Sequence, residues 1–404
     1  MKKLVTLLLS LLALTGCTGT VEPPLPTLLA VGVTQGEQPQ VALVETVLVR
    51  NNEEEGGGYT FLESSRQNLA APAVDFDVTE RTSARTQLVV LGRDAEFEGY
   101  IDFFTLSGID PDDPVGFAPV AGKPRLVLSE LDQPDDEDDA LTFCPEALQV
   151  SRDGRYVALY NGISCRENAS SDDIFIDIID TREREILERI RGGTFGFVDT
   201  APFLDQQNNR LYYLRQRVNS AGLVTLELDN AAADADLEGG LAERQEVAVE
   251  FPDLDQRDLT LYDETFLVLY EDAFIPFPQG ASAVGDAVET TDNSLNFIDN
   301  LEALDPEVLI LSDTRLTVHT SLTDTDEDDT SVPSPSGTTL DPDGQFAYLL
   351  SEGQVTRFDL LSYKGESFSG TLQTFELEEL SGTGPVAYAR GIDPEEAAQR
   401  QSRR

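Results

Sequence analysis

Three thiols, one imidazole and 75 carboxylates are the groups with which this 404-residue chain could do chemistry. The imidazole, His319, stands in the alternating segment RLTVHTSLT, so a zinc site with two or more histidines is excluded and a Ser-His-Asp triad could be built on this residue alone. No Gly-x-Ser-x-Gly elbow supplies a partner serine, and no glycine-rich phosphate loop of either common spacing occurs. His319 therefore reads as a packing or surface residue. Paired carboxylates could cleave a glycosidic bond, but with 75 to choose from the sequence cannot locate such a pair. Two acidic runs stand out, Asp135–Asp139 and Asp324–Asp329. The second places Asp324, Asp326 and Asp328 at alternate positions, as a calcium loop does. It then puts Asp329 where such a loop requires glycine and Pro335 where it ends in glutamate. The expectation is solvated acidic loops and no cofactor, with calcium at Asp324, Asp326 and Asp328 as the alternative.

The first thiol has a different setting. Lys2 and Lys3 precede an apolar run from Leu4 to Leu14, and Leu14-Thr15-Gly16-Cys17 follows. The run is shorter than the roughly 20 residues a membrane-crossing helix needs, and has the size of a signal-peptide core. The four-residue box resembles that of bacterial lipoproteins. The resemblance implies cleavage before Cys17 and acyl chains on its sulfur and new amino terminus. Each buried methylene adds about 0.8 kcal/mol, and more than one chain gives stable anchoring. Thr18 follows where an aspartate would resemble an inner-membrane retention signal. The expected location is thus the cell envelope: the outer membrane in a diderm host, otherwise the outer face of the cell membrane.

With Cys17 taken by lipid, Cys144 and Cys165 remain as one pair in an exported protein, where paired thiols persist as disulfides. The segment between them, CPEALQVSRDGRYVALYNGISC, reads as two strands around an Asp153-Gly154 turn that brings its ends together. A structural bridge is expected, closing a loop of about 20 residues and contributing roughly 3 kcal/mol in the chain-entropy account.

Charge excludes other roles. There are 28 basic and 75 acidic residues, a net −47. Such a field repels phosphate backbones and anionic membrane surfaces, which excludes nucleic acid as a partner and leaves the acyl anchor as the membrane contact. Arginine far outnumbers lysine, which fits either a GC-rich genome or salty surroundings that screen acidic self-repulsion.

The elements that would carry these residues are strands. Helical periodicity is confined to TREREILERI (181–190) and the stretch Leu241–Val247, both beside strand patterns. Short runs of Val, Ile, Leu, Phe and Tyr between polar turns make up most of the chain. Four hairpins share one layout, with turns near positions 153, 208, 263 and 343, and outer strands follow from Asp173, Gly222 and Gln354. VSRDGRYVALY with IFIDIIDTREREIL, and LDPDGQFAYLLSEGQVTRFDLLS, resemble bacterial β-propeller repeats of the YVTN and TolB-like kind. That resemblance implies an all-β fold of six or seven four-stranded blades. The competing architecture is a β-sandwich followed by a smaller β domain. The N-terminal strands suffice for about two further units, and GPVAYARGI (384–392) could pair with them to seal the ring.

The chain thus divides into a signal peptide (1–16), lipidated cysteine and tether (17–27), propeller (28–392) and short tail (393–404). The expected function is an envelope-anchored binding or assembly module with a protein partner, and no reaction. The contrasting reading is a carboxylate-based, calcium-dependent hydrolase, lactonase-like or glycan-cleaving, with its site in the propeller channel. Cys17→Ala should leave the chain unlipidated and in soluble or precursor form, because the thiol is the acyl acceptor. Fractionation with a labelled fatty acid checks this; an alanine variant still acyl-labelled in the membrane pellet would refute it.

Overall fold

Strands that bury both faces need a neighbour on each side, and this requirement sets the architecture. Tyr156–Asn161 and Phe175–Asp180 are buried at every position. The computed structural model describes residues 27–388 except 36–37, 48–57, 62–65, 80–85, 108–115, 133–142, 166–173, 192–199, 207, 217–219, 229–244, 247–250, 253–255, 257, 263–264, 271, 282, 290–294, 301–307, 313–314, 320–326, 341–345, 352, 360–371 and 377–383.

Among the described residues the strands form seven antiparallel sheets. Blade 1 contains β1 (Thr27–Gln35), β2 (Gln38–Val47) and β3 (Gly58–Phe61), with β4 (Gln67–Asn68) also on β2. Blade 2 contains β5 (Ala73–Val78), β6 (Thr86–Arg93), β7 (Gly99–Ser107) and β8 (Gly116–Pro119), with β9 (Leu126–Val127) also on β7. Blade 3 contains β10 (Pro145–Val150), β11 (Tyr156–Asn161), β12 (Phe175–Asp180) and β13 (Glu185–Arg191). Blade 4 contains β14 (Phe203–Asp205), β15 (Arg210–Gln216), β16 (Ser220–Glu227) and β17 (Gln245–Glu246), with β18 (Phe251–Pro252) also on β16. Blade 5 contains β19 (Asp258–Tyr262), β20 (Thr265–Leu269), β21 (Ala273–Pro278) and β22 (Val288–Glu289). Blade 6 contains β23 (Leu295–Asn300), β24 (Val308–Ser312), β25 (Arg315–His319) and β26 (Glu327–Ser331). Blade 7 contains β27 (Gly337–Leu340), β28 (Phe346–Ser351), β29 (Gln354–Asp359) and β30 (Leu372–Glu376).

The last described strand, β31 (Val386–Tyr388), pairs with β1 through Leu29↔Tyr388, Ala30↔Ala387 and Val31↔Val386, and so becomes the innermost strand of blade 1. Innermost strands pack in succession, β31 beside β5, then β10, β14, β19 and β23, while β27 lies beside β31. The fold is a β-propeller of seven blades closed by its first and last described strands. This is the ring expected from the repeats, and it replaces the β-sandwich alternative.

Apolar clusters sit between blades. Tyr156, Ala158 and Tyr160 of β11 pack towards Leu211, Tyr213 and Val224 of blade 4. The alternate residues Val157 and Leu159 pack towards Val89, Leu91 and Ile101 of blade 2. One strand thus supplies two cores by its period of two, and full burial of each such side chain contributes about 1.5–3 kcal/mol. Similar clusters join blades 1 and 2, 4 and 5, and 7 and 1.

The turns near 153, 208, 263 and 343 each join the first and second strands of a blade, namely blades 3, 4, 5 and 7. Three details differ from expectation. The Asp153 turn is wider than two residues: Ser151 N–H bonds Tyr156 O at 2.9 Å, Gly154 N–H bonds Ser151 O at 2.8 Å, and Gly154 has φ 71°. TREREILERI is not helical; Thr181–Arg184 form a turn and β13 follows, because Asp180 holds the turn by accepting the Arg182 and Glu183 N–H groups. Blade 6 went unread between the last two hairpins. Its outer strand β26 contains Glu327, Asp328 and Asp329, residues that read as solvated loop until paired with β25.

The closing strand must hold blades 7 and 1 together. Leu29→Ala, at their junction, should cost about 2–5 kcal/mol, and Val386→Asp should abolish the cooperative unfolding transition. Ala118→Asp, at an exposed position of β8, should leave it unchanged. Denaturant unfolding followed by circular dichroism checks all three.

Candidate functional site

The inner wall carries two acids that sequence reading missed. In β5 the alternation Asp75-Phe76-Asp77 sends Phe76 into the core between blades 1 and 2 and both carboxylates towards blade 3. Asp75 accepts the N–H groups of Phe76 (2.9 Å) and Leu148 (2.8 Å). Asp77 accepts those of Val78 and Val150, both at 2.7 Å. Leu148 and Val150 lie on β10, whose outer neighbour β11 leaves its axis-facing edge to be satisfied from the next blade. Gln206 of blade 4 reaches across to Asp77 Oδ2 at 3.4 Å and to Val78 O at 3.2 Å. Gln149 of β10 in turn accepts the Leu204 N–H of β14.

Enclosure by packed neighbours raises both carboxyls to about 7, against the lowering effect of these N–H bonds; at Asp77 the Asp75 charge adds to the rise. Two acids near neutrality could in principle exchange a proton with a substrate. Here their oxygens are taken up by backbone N–H groups of two blades, which makes them staples of the wall. The only signal in the sequence was an Asp-x-Asp inside an otherwise apolar strand.

A second polar cluster caps blade 3. Ser151 Oγ donates to Asp153 (2.8 Å) and accepts the Tyr156 N–H (2.9 Å). Arg155 pairs with Asp180 at 2.8 Å, and Thr181 Oγ donates to Gly154 O at 2.9 Å. Lys123, from blade 2, donates to the same carbonyl at 2.7 Å and lies 3.9 Å from the Phe103 ring centre. Burial lowers its ammonium to about 8, opposed by Asp153 and Asp180. Deeper in the blade Arg189 grips Asp177 through two bonds of 2.6 and 2.9 Å, both side chains almost wholly buried.

Cys144 and Cys165 form a disulfide with Cα atoms 5.8 Å apart. A bulge between Pro145 and Ala147 shifts the pairing of β10 with β11 by one residue at that end, so that Gly162 N–H bonds Cys144 O at 3.0 Å. Arg93 of blade 2 donates to Cys165 Sγ and to Pro145 O, each at 3.0 Å. His319 is buried in β25 with its ring edge-on to Phe274 at 5.1 Å, a packing role. Cys17, the 135–139 run, Asp324 and Asp326 lie outside the described residues; Asp328 lies on β26, its backbone opposite Val318. Among the described residues no group of three or more His, Cys, Asp and Glu is placed to hold a metal.

No protein family and no curated protein matches this sequence. Among solved structures, the chain is similar to apo AztD from Citrobacter koseri at 9% identity, covering 90% of this chain and 97% of that one, with a TM-score of 0.48. A second Citrobacter koseri AztD structure shows 11% identity over 88% and 83% of the two chains, TM-score 0.43. The β-propeller domain of Myceliophteria thermophila Cps50 (Swd1) shows 9% identity over 80% and 91%, TM-score 0.46.

The staples give a pH signature. With folded values near 7 and an unfolded value near 4, the folded chain holds more protons at these sites between about pH 4 and 7, so their contribution to stability falls as pH rises through that window. Asp75→Asn/Asp77→Asn removes this slope. Relative to the unaltered chain, the variant should gain at least about 1 kcal/mol between pH 4 and pH 7.5. Urea unfolding across that range checks it; parallel curves would refute it.

Proposed function

We propose that this chain is an envelope-anchored lipoprotein whose propeller serves as a binding or assembly module. One observation carries the reading. The acids and bases of the inner wall and of blade 3 described above are committed to structure: Asp75 and Asp77 to N–H groups of β10, Asp177 to Arg189, Asp180 to Arg155, Lys123 to Gly154. What the ring offers to other molecules is its two faces, where turns from successive blades lie side by side.

The anchor is the Cys17 thiol, and its geometry is simple. Strand β1 starts on the face that carries the turns between first and second strands, since β31, its antiparallel partner, ends there. Thr18 to Pro26 then span roughly 30 Å at most. This reading puts that face towards the membrane and the opposite face towards other envelope proteins.

Crosslinking in intact cells tests the module. Amine-reactive reagents suit this chain poorly, because beyond the leader it has two lysines, Lys123 and Lys364, and Lys123 is held against Gly154. Dihydrazides, coupled with a triazine reagent that activates the carboxyl groups and carries away the displaced oxygen, suit its 75 acids. A discrete heterologous adduct, identified by mass spectrometry and lost in Cys17→Ala, is expected. Recovery of the chain alone from intact cells would overturn the reading.

A further inference from the structure

Among the described residues two large apolar side chains are exposed, Phe97 at 39% and Ile163 at 36%. Both lie on the same face. Phe97 is in the turn between the second and third strands of blade 2, and Ile163 follows the second strand of blade 3 in the connection to its third. Turns of that class are opposite the face on which β1 begins. The two tips adjoin, because Arg93, at the foot of the Phe97 turn, donates to Cys165 Sγ, two residues from Ile163, and to Pro145 O.

Phe97 is not placed there by folding. Its φ is 69°, in the left-handed region that costs an L side chain energy and favours glycine or asparagine. Other described turns put Gly122, Gly154, Gly280, Gly353 or Asn209 at such positions. Arg184 is the other exception, and its guanidinium reaches Arg125 O of blade 2 at 3.5 Å. The Phe97 ring belongs to none of the five apolar clusters. The conformation is enforced by Asp94, whose carboxylate accepts the Glu96 and Glu98 N–H groups at 2.8 and 3.0 Å and the Tyr100 hydroxyl at 3.2 Å. Ile163 is held by the adjacent disulfide and by Glu146, which accepts the Ser164 N–H at 2.6 Å. Each side chain is therefore a rigid apolar projection on a backbone fixed before any partner arrives, which lowers the ordering cost of binding.

Carboxylates surround the pair. Glu96 and Glu130 are exposed, and Glu98, which accepts the Ser129 N–H, and Glu146 are half-buried. Arg93, the cation beneath, is occupied by the bridge. Such a surface repels a second copy of this acidic chain and an anionic lipid surface.

We propose that Phe97 and Ile163 are the two anchors of a docking patch for another protein, one presenting an apolar pocket flanked by lysine or arginine. The proposal rests on the binding-module reading and names its surface. The test replaces Phe97, and separately Ile163, by photocrosslinking p-benzoyl-phenylalanine in intact cells, with Ala118 of β8 as the control position. Both positions should capture the same protein through one peptide in which basic residues flank apolar ones, and position 118 should not. Glu96→Arg should cut the adduct from position 163 at least tenfold. Phe97→Gly should keep or raise the melting temperature, since glycine suits this φ, while cutting dihydrazide capture of that protein at least tenfold. Capture of different proteins by the two positions, of an acidic peptide, of lipid or of a second copy would overturn the patch. So would a lowered melting temperature in Phe97→Gly, which would make the ring structural. If dihydrazide capture of a partner persists while positions 97 and 163 give no adduct, the patch fails and the binding-module reading stands; if both captures fail, both fall.

Discussion

Closure of the ring is the constraint on which everything else depends. Among the described residues blades 1 to 4 each contribute to two apolar clusters, so none of these four can be removed without uncovering two cores. The closing strand shows this residue by residue. Val386 packs with Leu29, Tyr348 and Leu350 towards blade 7, while its neighbour Ala387 packs with Ala30, Leu43 and Phe76 towards blade 2. The close approach that allows it depends on backbone without side chains. A Cβ on Gly384 would stand 2.5 Å from Gly32 O, and one on Gly337 would stand 3.0 Å from Val386 N.

A closed ring creates a second problem at its axis, and the acids solve it. Seven innermost strands turn one edge each towards the centre, where N–H groups lack a strand partner. Between blades 2 and 3 the missing acceptors are Asp75 and Asp77; between blades 3 and 4 the acceptor is Gln149. A chain with 75 carboxylates thus uses some of them as backbone acceptors, at the cost of holding them near neutrality. Its scarce cations serve the same purpose. Arg155 with Asp180, Arg210 with Glu227 and Arg189 with Asp177 each tie together neighbouring strands of one blade.

This explains what the sequence could reveal. The hairpins of blades 3, 4, 5 and 7 were legible because apolar alternation and polar turns are local signals. The Asp153-Gly154 turn was legible for the same reason, whereas the bonds by which Ser151, Arg155 and Asp180 close that blade's turns depend on side-chain placement. Blade 6 was not, since acidic β26 acquires strand character only from its neighbour. Nor were the roles of Asp75, Asp77, Gln206 and Arg93, because each acts on a different blade, and the partner atoms lie 51 to 129 residues away. The disulfide could be read from cysteine count and hairpin reach, while its one-residue shift came from a bulge that no residue announces. The φ of Phe97 was equally invisible, being imposed by Asp94 on a residue that would not choose it.

The two faces are therefore unlike for a topological reason. Four-stranded antiparallel blades place the first-to-second and third-to-fourth turns on one side, and the second-to-third turns on the other. On the first side blade 3 is closed by its own polar residues and by Lys123 from blade 2, an arrangement that leaves its donors and acceptors facing one another. On the second side Arg93 joins the same two blades at a disulfide, and the tips beyond that joint project apolar groups into solvent. The joint matters because Arg93 bonds the blade 2 turn to Pro145 and Cys165 of blade 3, which brings the Phe97 and Ile163 tips side by side. A pair of apolar projections on the side opposite the start of β1 is a geometry that the core does not require, since neither side chain belongs to any of the five apolar clusters.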